Sequence, residues 1–142
     1  MNLDQTEAMA TRLHAASIKL LRLLRREDED SGLSAPRLSA LSVIVFAGPL
    51  SLAELAAAEQ VRPPTMSRLV EALVGLSLIT READPANRRM VSIAATQVGR
   101  DLLEAGRGRR VRLLTARLKR LADSEQRALF RAVELIERVA RS

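Results

Sequence analysis

The strongest constraint on the fold lies between Ser51 and Gly99, where two short helical signatures separated by a turn run directly into two short strand signatures joined by a polar tip. Ser51-Leu52-Ala53-Glu54 has the pattern of a capping box, in which the serine oxygen meets the amide at Glu54 and the glutamate reaches back. It predicts a short helix to about Glu59. Gln60-Val61-Arg62 makes the turn. Pro63-Pro64 starts the next helix, because proline there loses no N–H that the helix needs. Met66, Leu69, Val70, Leu73 and Val74 then recur at helical spacing, with a stop near Gly75 to Ser77. Leu78-Ile-Thr-Arg-Glu82 and Met90-Val-Ser-Ile93 read as strands around a turn that holds Pro85 and Asn87. This order describes a helix-turn-helix carrying a hairpin, or wing.

The flanks are helical. From Leu3 to about Arg26, Met9, Leu13, Ala16, Leu20 and Leu24 follow the 3.6-residue period of an amphipathic helix, which stops in the acidic run to Asp30 and Ser31-Gly32. Ser34-Ala-Pro-Arg37 opens a second helix that closes at Gly48-Pro49. A long helix is expected from Thr96 to about Leu121, with Gly106 and Gly108 weakening or bending it. Asp123 or Ser124 is expected to cap a last one through Leu129, Val133, Ile136 and Val139. The terminal helices are too leucine-rich to stand as isolated arms, which predicts association of two copies through Leu13, Leu20, Leu129, Val133 and Ile136.

The chain has 142 residues, 47% of them apolar, the size of a single domain spanning 1–142. No apolar run approaches the roughly 18 to 20 residues needed to cross a bilayer, and the first residues, with Asp4 and Glu7, lack the pattern of a signal peptide. A soluble, cytoplasmic protein with no membrane partner is expected. Without cysteine, no disulfide and no Cys-containing zinc site can form. The only histidine, His14, has no second histidine with which to share a metal, and Gly106 and Gly108 lack the ending of a phosphate-binding loop. No enzyme activity and no cofactor are expected.

The net charge of +6 is unevenly placed. Residues 51–99 carry five basic and five acidic groups, whereas residues 100–142 carry twelve and six. The segment with the helix-turn-helix pattern is therefore neutral, and a DNA-binding reading rests on where individual residues stand. In this motif the second helix enters the major groove, so its outer positions must be small, polar or basic while its inner stripe stays apolar. Leu69, Val70, Leu73 and Val74 suit the inner stripe. Arg62, Thr65, Met66, Ser67 and Arg68 are left toward DNA, with Arg68 suited to a bidentate grip on guanine, Thr65 and Met66 to a thymine methyl, and Ser67 to a phosphate. Arg88 at the hairpin tip suits the narrow, negative minor groove, and Asp84 is expected to pair with Arg89 at the base of the turn.

The succession of Ser51-Leu-Ala-Glu-Leu-Ala56, Pro64-Thr-Met-Ser-Arg-Leu-Val70, Leu78-Ile79, Asp84-Pro-Ala-Asn-Arg-Arg89 and Thr96-Gln-Val-Gly99 resembles the MarR family of bacterial transcriptional regulators over nearly the whole chain. The resemblance implies a mainly α fold with a small β-hairpin wing: a winged helix-turn-helix at 34–94, and helices at 3–30 and 96–142 interleaved between two copies. It places the recognition helix at Arg62 to Arg68, the wing-tip arginine at Arg88 and the wing-stiffening pair at Asp84 and Arg89. It also implies repression as a homodimer on a palindrome in double-stranded DNA, relieved by a small, often anionic or phenolic, effector. The chain departs from the family at Asn87, where an acid is usual and a looser wing is expected. It departs again at Ala95, where leucine is usual, and at Arg62, where a small cap is common. The alternative is a winged-helix module that binds protein and not specific DNA. The arginines at 107, 109, 110, 112, 117 and 120, with Lys119, suit a solvated face, a DNA-facing cleft or a pocket for an anionic effector.

Overall fold

A computed structural model describes residues 1–141, which fall into two compact units, Met1–Arg107 and a second beginning at Gly108. Among the described residues, six α-helices and two strands run in the order α1 (Leu3–Arg25), α2 (Ala35–Ala47), α3 (Leu52–Glu59), α4 (Pro63–Gly75), β1 (Ile79–Ala83), β2 (Val91–Ala95), α5 (Gln97–Leu118) and α6 (Asp123–Ala140). Among the described residues no helix is long and apolar enough to cross a membrane.

Helix α1 starts at a reciprocal cap in which Asn2 Oδ1 accepts the Gln5 N–H and Gln5 Oε1 accepts the Asn2 N–H. The acidic run after it is not a loop. It winds into a 3₁₀ turn, Arg26–Ser31, that ends at Gly32 with φ of 71°, a left-handed conformation that glycine adopts without a Cβ clash.

The core of the first unit is built from α2, α3, α4 and the hairpin. Ala40, Leu41 and Ile44 of α2 meet Leu55 and Ala56 of α3, Met66, Val70 and Leu73 of α4, and Leu78, Ile79 and Ile93 around the hairpin. Helix α3 begins with Ser51 Oγ accepting the Glu54 N–H at 3.1 Å, the serine half of the expected box. It ends at Gln60 with φ of 54°, where Val61 N–H returns to Ala56 O at 3.0 Å, a Schellman-type stop that turns the chain toward α4.

The strands are antiparallel, with Ile79 opposite Ala95 and Ala83 opposite Val91, one residue later at their starts than the pattern predicts. An isolated bridge outside the two strands has no counterpart in the expected elements. Leu50 donates to Ile93 O at 3.0 Å and Ile93 donates back to Leu50 O at 2.8 Å, tying the base of the wing to the segment between α2 and α3. A single bridging residue carries no period, so no pattern announces it.

Helix α5 is continuous through Gly106 and Gly108. Its first turn fits closely, because a Cβ on Gly99 would collide with the Leu78 carbonyl oxygen. The N-cap of the last helix, Ala122, lies one residue before the expected cap, and its N–H donates to Glu125 Oε2 at 2.9 Å. Replacing Gly99 with Ala is expected to destabilise the fold by about 1–3 kcal/mol through overpacking against backbone, read as a lower urea midpoint with an unchanged m-value.

Candidate nucleic-acid interface

Helix α4 is set by its apolar stripe. Met66, Val70 and Leu73, at i, i+4 and i+7, are buried, which turns Thr65, Arg68 and Glu71 to the exposed side. Arg62, the N-cap, is also exposed, and its side chain makes no capping bond. Pro63 and Pro64 carry no N–H, so this helix start has fewer amides in need of a cap.

One expected contact is overturned. Met66 does not face DNA: it is 0% exposed and sits in the core, because it shares the face of Val70 and Leu73 one turn apart. Ser67 is half-buried. With Leu52, Val70, Arg81, Val91 and Ile93 it lines a notch of about 150 Å³ between α4 and the wing.

The wing tip is held by side chain to backbone bonds. Asp84 Oδ1 accepts the Ala86 N–H at 2.8 Å, and Asn87 Oδ1 accepts the Arg89 N–H at 3.2 Å. Backbone bonds close the turn, from Asp84 N–H to Met90 O at 2.8 Å and from Met90 N–H to Asn87 O at 2.9 Å. The expected Asp84–Arg89 ion pair gives way to this arrangement, because a carboxylate two residues before an amide meets it locally without ordering a long guanidinium. Asn87, where a looser wing is expected, contributes its amide oxygen to the turn. Arg88 and Arg89 are exposed.

The basic cluster does not form one uniform face. In the first unit Arg107 donates to Glu104 at 3.1 Å. In the second, Arg109 and Arg110 are half-buried and engaged with partners, whereas Arg112, Arg117, Lys119 and Arg120 are exposed.

A buried-stripe helix seated beside a braced hairpin, both with exposed arginines, defines a winged helix-turn-helix protein of the DNA-reading class. The sequence model of the MarR family matches residues 33–91. An uncharacterised HTH-type transcriptional regulator of Mycobacterium leprae is 34% identical over 134 residues, 94% of each chain. A MarR family protein from Bacillus stearothermophilus superposes with a TM-score of 0.81 at 20% identity, over 100% of this chain and 99% of that one. A variant of MepR from Staphylococcus aureus, solved bound to an oligodeoxyribonucleotide, superposes with a TM-score of 0.72 at 19% identity, over 94% and 96%. The chain belongs to the MarR family and is a DNA-binding transcriptional regulator, which is not an enzyme class.

The wing geometry gives a direct test. Asp84→Asn keeps an acceptor for the Ala86 N–H and is expected to hold DNA within about twofold of the native chain, while Asp84→Ala loses that bond and weakens binding about five- to tenfold. Fluorescence anisotropy on a labelled duplex distinguishes this from an ion-pair brace, for which both variants would fail alike.

Proposed function

We propose that this protein is a homodimeric repressor that binds a pseudo-palindromic operator and releases it when a small anionic or phenolic effector binds. The observation that carries the reading is the shared seat of α4 and the wing, which line one notch while Thr65 and Arg68 on one and Arg88 on the other stay exposed. A helix for the major groove and a finger for the minor groove are thus mounted side by side. In this reading Arg68 and Thr65 meet base edges, and Arg62, Ser67 and Arg89 stand nearest the backbone phosphates. Arg88 enters the minor groove. Asp84 holds the finger in shape.

The dimeric part of the reading is supported by two open apolar faces, each within its own unit. Helix α1 buries no residue and exposes Leu3, Met9, Leu13, Ile18, Leu20 and Leu21. Helix α6 also buries none and exposes Leu129, Phe130, Val133, Leu135, Ile136 and Val139. Contiguous apolar area of this kind is rare on monomers and common at obligate interfaces. A second copy of the chain, covering residues 3–30 and 96–142, accounts for both. The effector part is supported by the notch itself, whose floor is Val70 and Ile93 and which Ser67 and Arg81 also line. An aromatic acid seated there would touch both DNA-reading elements at once.

Light scattering is expected to give twice the chain mass, and gel shifts against random competitor a specific complex; failure of specificity would favour the protein-binding module. Arg68→Ala is expected to cost about 1–3 kcal/mol and relax preference at one base pair, whereas Arg88→Ala lowers the salt slope of binding by about 1. Benzoate is expected to weaken the complex of the native chain, and Arg81→Ala to abolish that response.

A further inference from the structure

The turn that follows α4 is unusual in its backbone and in what holds it. Ser77 has φ of 60°, a left-handed conformation that side chains other than those of Asn and Asp rarely adopt. Its N–H donates to Val74 O at 2.9 Å, and its carbonyl accepts the Thr96 hydroxyl at 2.7 Å. Next to it, Leu78 donates to Leu73 O at 3.0 Å and accepts the Thr96 N–H at 3.0 Å. The Thr96 oxygen then accepts the Gly99 N–H at 3.1 Å, capping α5. Gly99 lies bare against the Leu78 carbonyl, where a Cβ would not fit.

One hydroxyl therefore donates backward to the turn that follows α4, at Ser77 O, and accepts forward from the first turn of α5. Only a side chain with donor and acceptor on one atom does both at this reach, which limits the position to threonine or serine. The two carbonyls it and its backbone hold, those of Ser77 and Leu78, are the last before β1. They hold the turn between α4 and β1 against the start of α5.

We infer that Thr96 is a positioning residue for DNA reading: its hydroxyl locks the turn that follows α4 to the start of α5 and thereby sets the half-site spacing that the protein accepts. This rests on the dimeric reading proposed above. In a dimer on a palindrome the pitch of each reading helix against its own α5 fixes where the helix tip falls along the duplex. One added base pair moves a half-site by about 3.4 Å, farther than a rigid joint tolerates. A loosened joint accommodates it.

The test uses the full chain and the palindrome that the native protein enriches from a randomised duplex pool, together with versions in which one base pair is added or removed at its centre. The native chain is expected to lose affinity steeply on both altered spacings. Thr96→Val keeps the shape but not the hydroxyl; it is expected to remain dimeric by light scattering, bind the enriched palindrome about tenfold more weakly, and lose only a few-fold more on the altered spacings. Thr96→Ser is expected to restore both the affinity and the steep profile. Should Thr96→Val be insoluble, Thr96→Ala, which adds no bulk, is read by the same profile. The inference is overturned if the hydroxyl-free variant keeps the native spacing profile, or if serine fails to restore it. A native chain indifferent to spacing would instead bring down the dimeric reading, and this inference with it.

Discussion

The burial of Met66, Val70 and Leu73 is the constraint from which the reading surface follows. A helix held by three residues at i, i+4 and i+7 cannot rotate about its axis without exposing a large apolar side chain, at a cost of about 1.5–3 kcal/mol each. With that stripe packed against α2 and α3, the azimuth of every other α4 residue is set. Thr65 and Arg68 project because the core leaves them nowhere else to go. The apolar side of the same helix thus fixes where its exposed polar groups stand.

The wing depends on that core at one remove. Ile93 is buried in it and at the same time pairs with Leu50, so the hairpin is fastened on its inner side by packing and on its edge by two hydrogen bonds. Beyond Ala83 the chain has no core to lean on. The tip instead carries its order in short-range bonds from Asp84 and Asn87 to amides two residues on. These bonds need no partner from elsewhere in the fold, which leaves both arginines of the tip exposed. Since the segment from Ser51 to Gly99 has no net charge, the field over this segment is set by where its individual guanidinium groups stand.

Much of this architecture was legible in the chain. Prolines 63 and 64, the Ser51 cap and the Gly48-Pro49 stop fix helix ends through local chemistry, so α2, α3 and α4 fall close to where their residues predict. What was not legible is what depends on three dimensions. Met66 sits at a position where periodicity permits either the edge of the stripe or its centre, and only packing against α2 decides. Methionine is also apolar enough for a core and flexible enough for a thymine methyl, so residue type does not discriminate. The Leu50 bridge has no repeat to reveal it. The brace at Asp84 was expected in the wrong partner because opposite charges five residues apart suggest an ion pair, while the nearer competitor, a backbone amide, is present in every sequence and so leaves no mark. Thr96 and Gly99 stood out as a spacing, but that the same hydroxyl also reaches a carbonyl nineteen residues earlier emerges only from the fold.

The open faces of α1 and α6 connect folding to function. Helix α1 is 23 residues long and buries none of them; its internal support is the Asn2–Gln5 cap and hydroxyl bonds such as Ser17 to Leu13 O at 2.8 Å. Isolated helices gain little from such terms, and most helical stability in proteins comes from packing an apolar face. Covering that face by a second copy would make ordering of the arms and pairing of the chains a single event. Protein concentration would then set both stability and the number of reading heads joined in pairs. Because two linked heads bind far more tightly than either alone, occupancy of a palindrome by the proposed dimer would rise steeply over a narrow range of protein level.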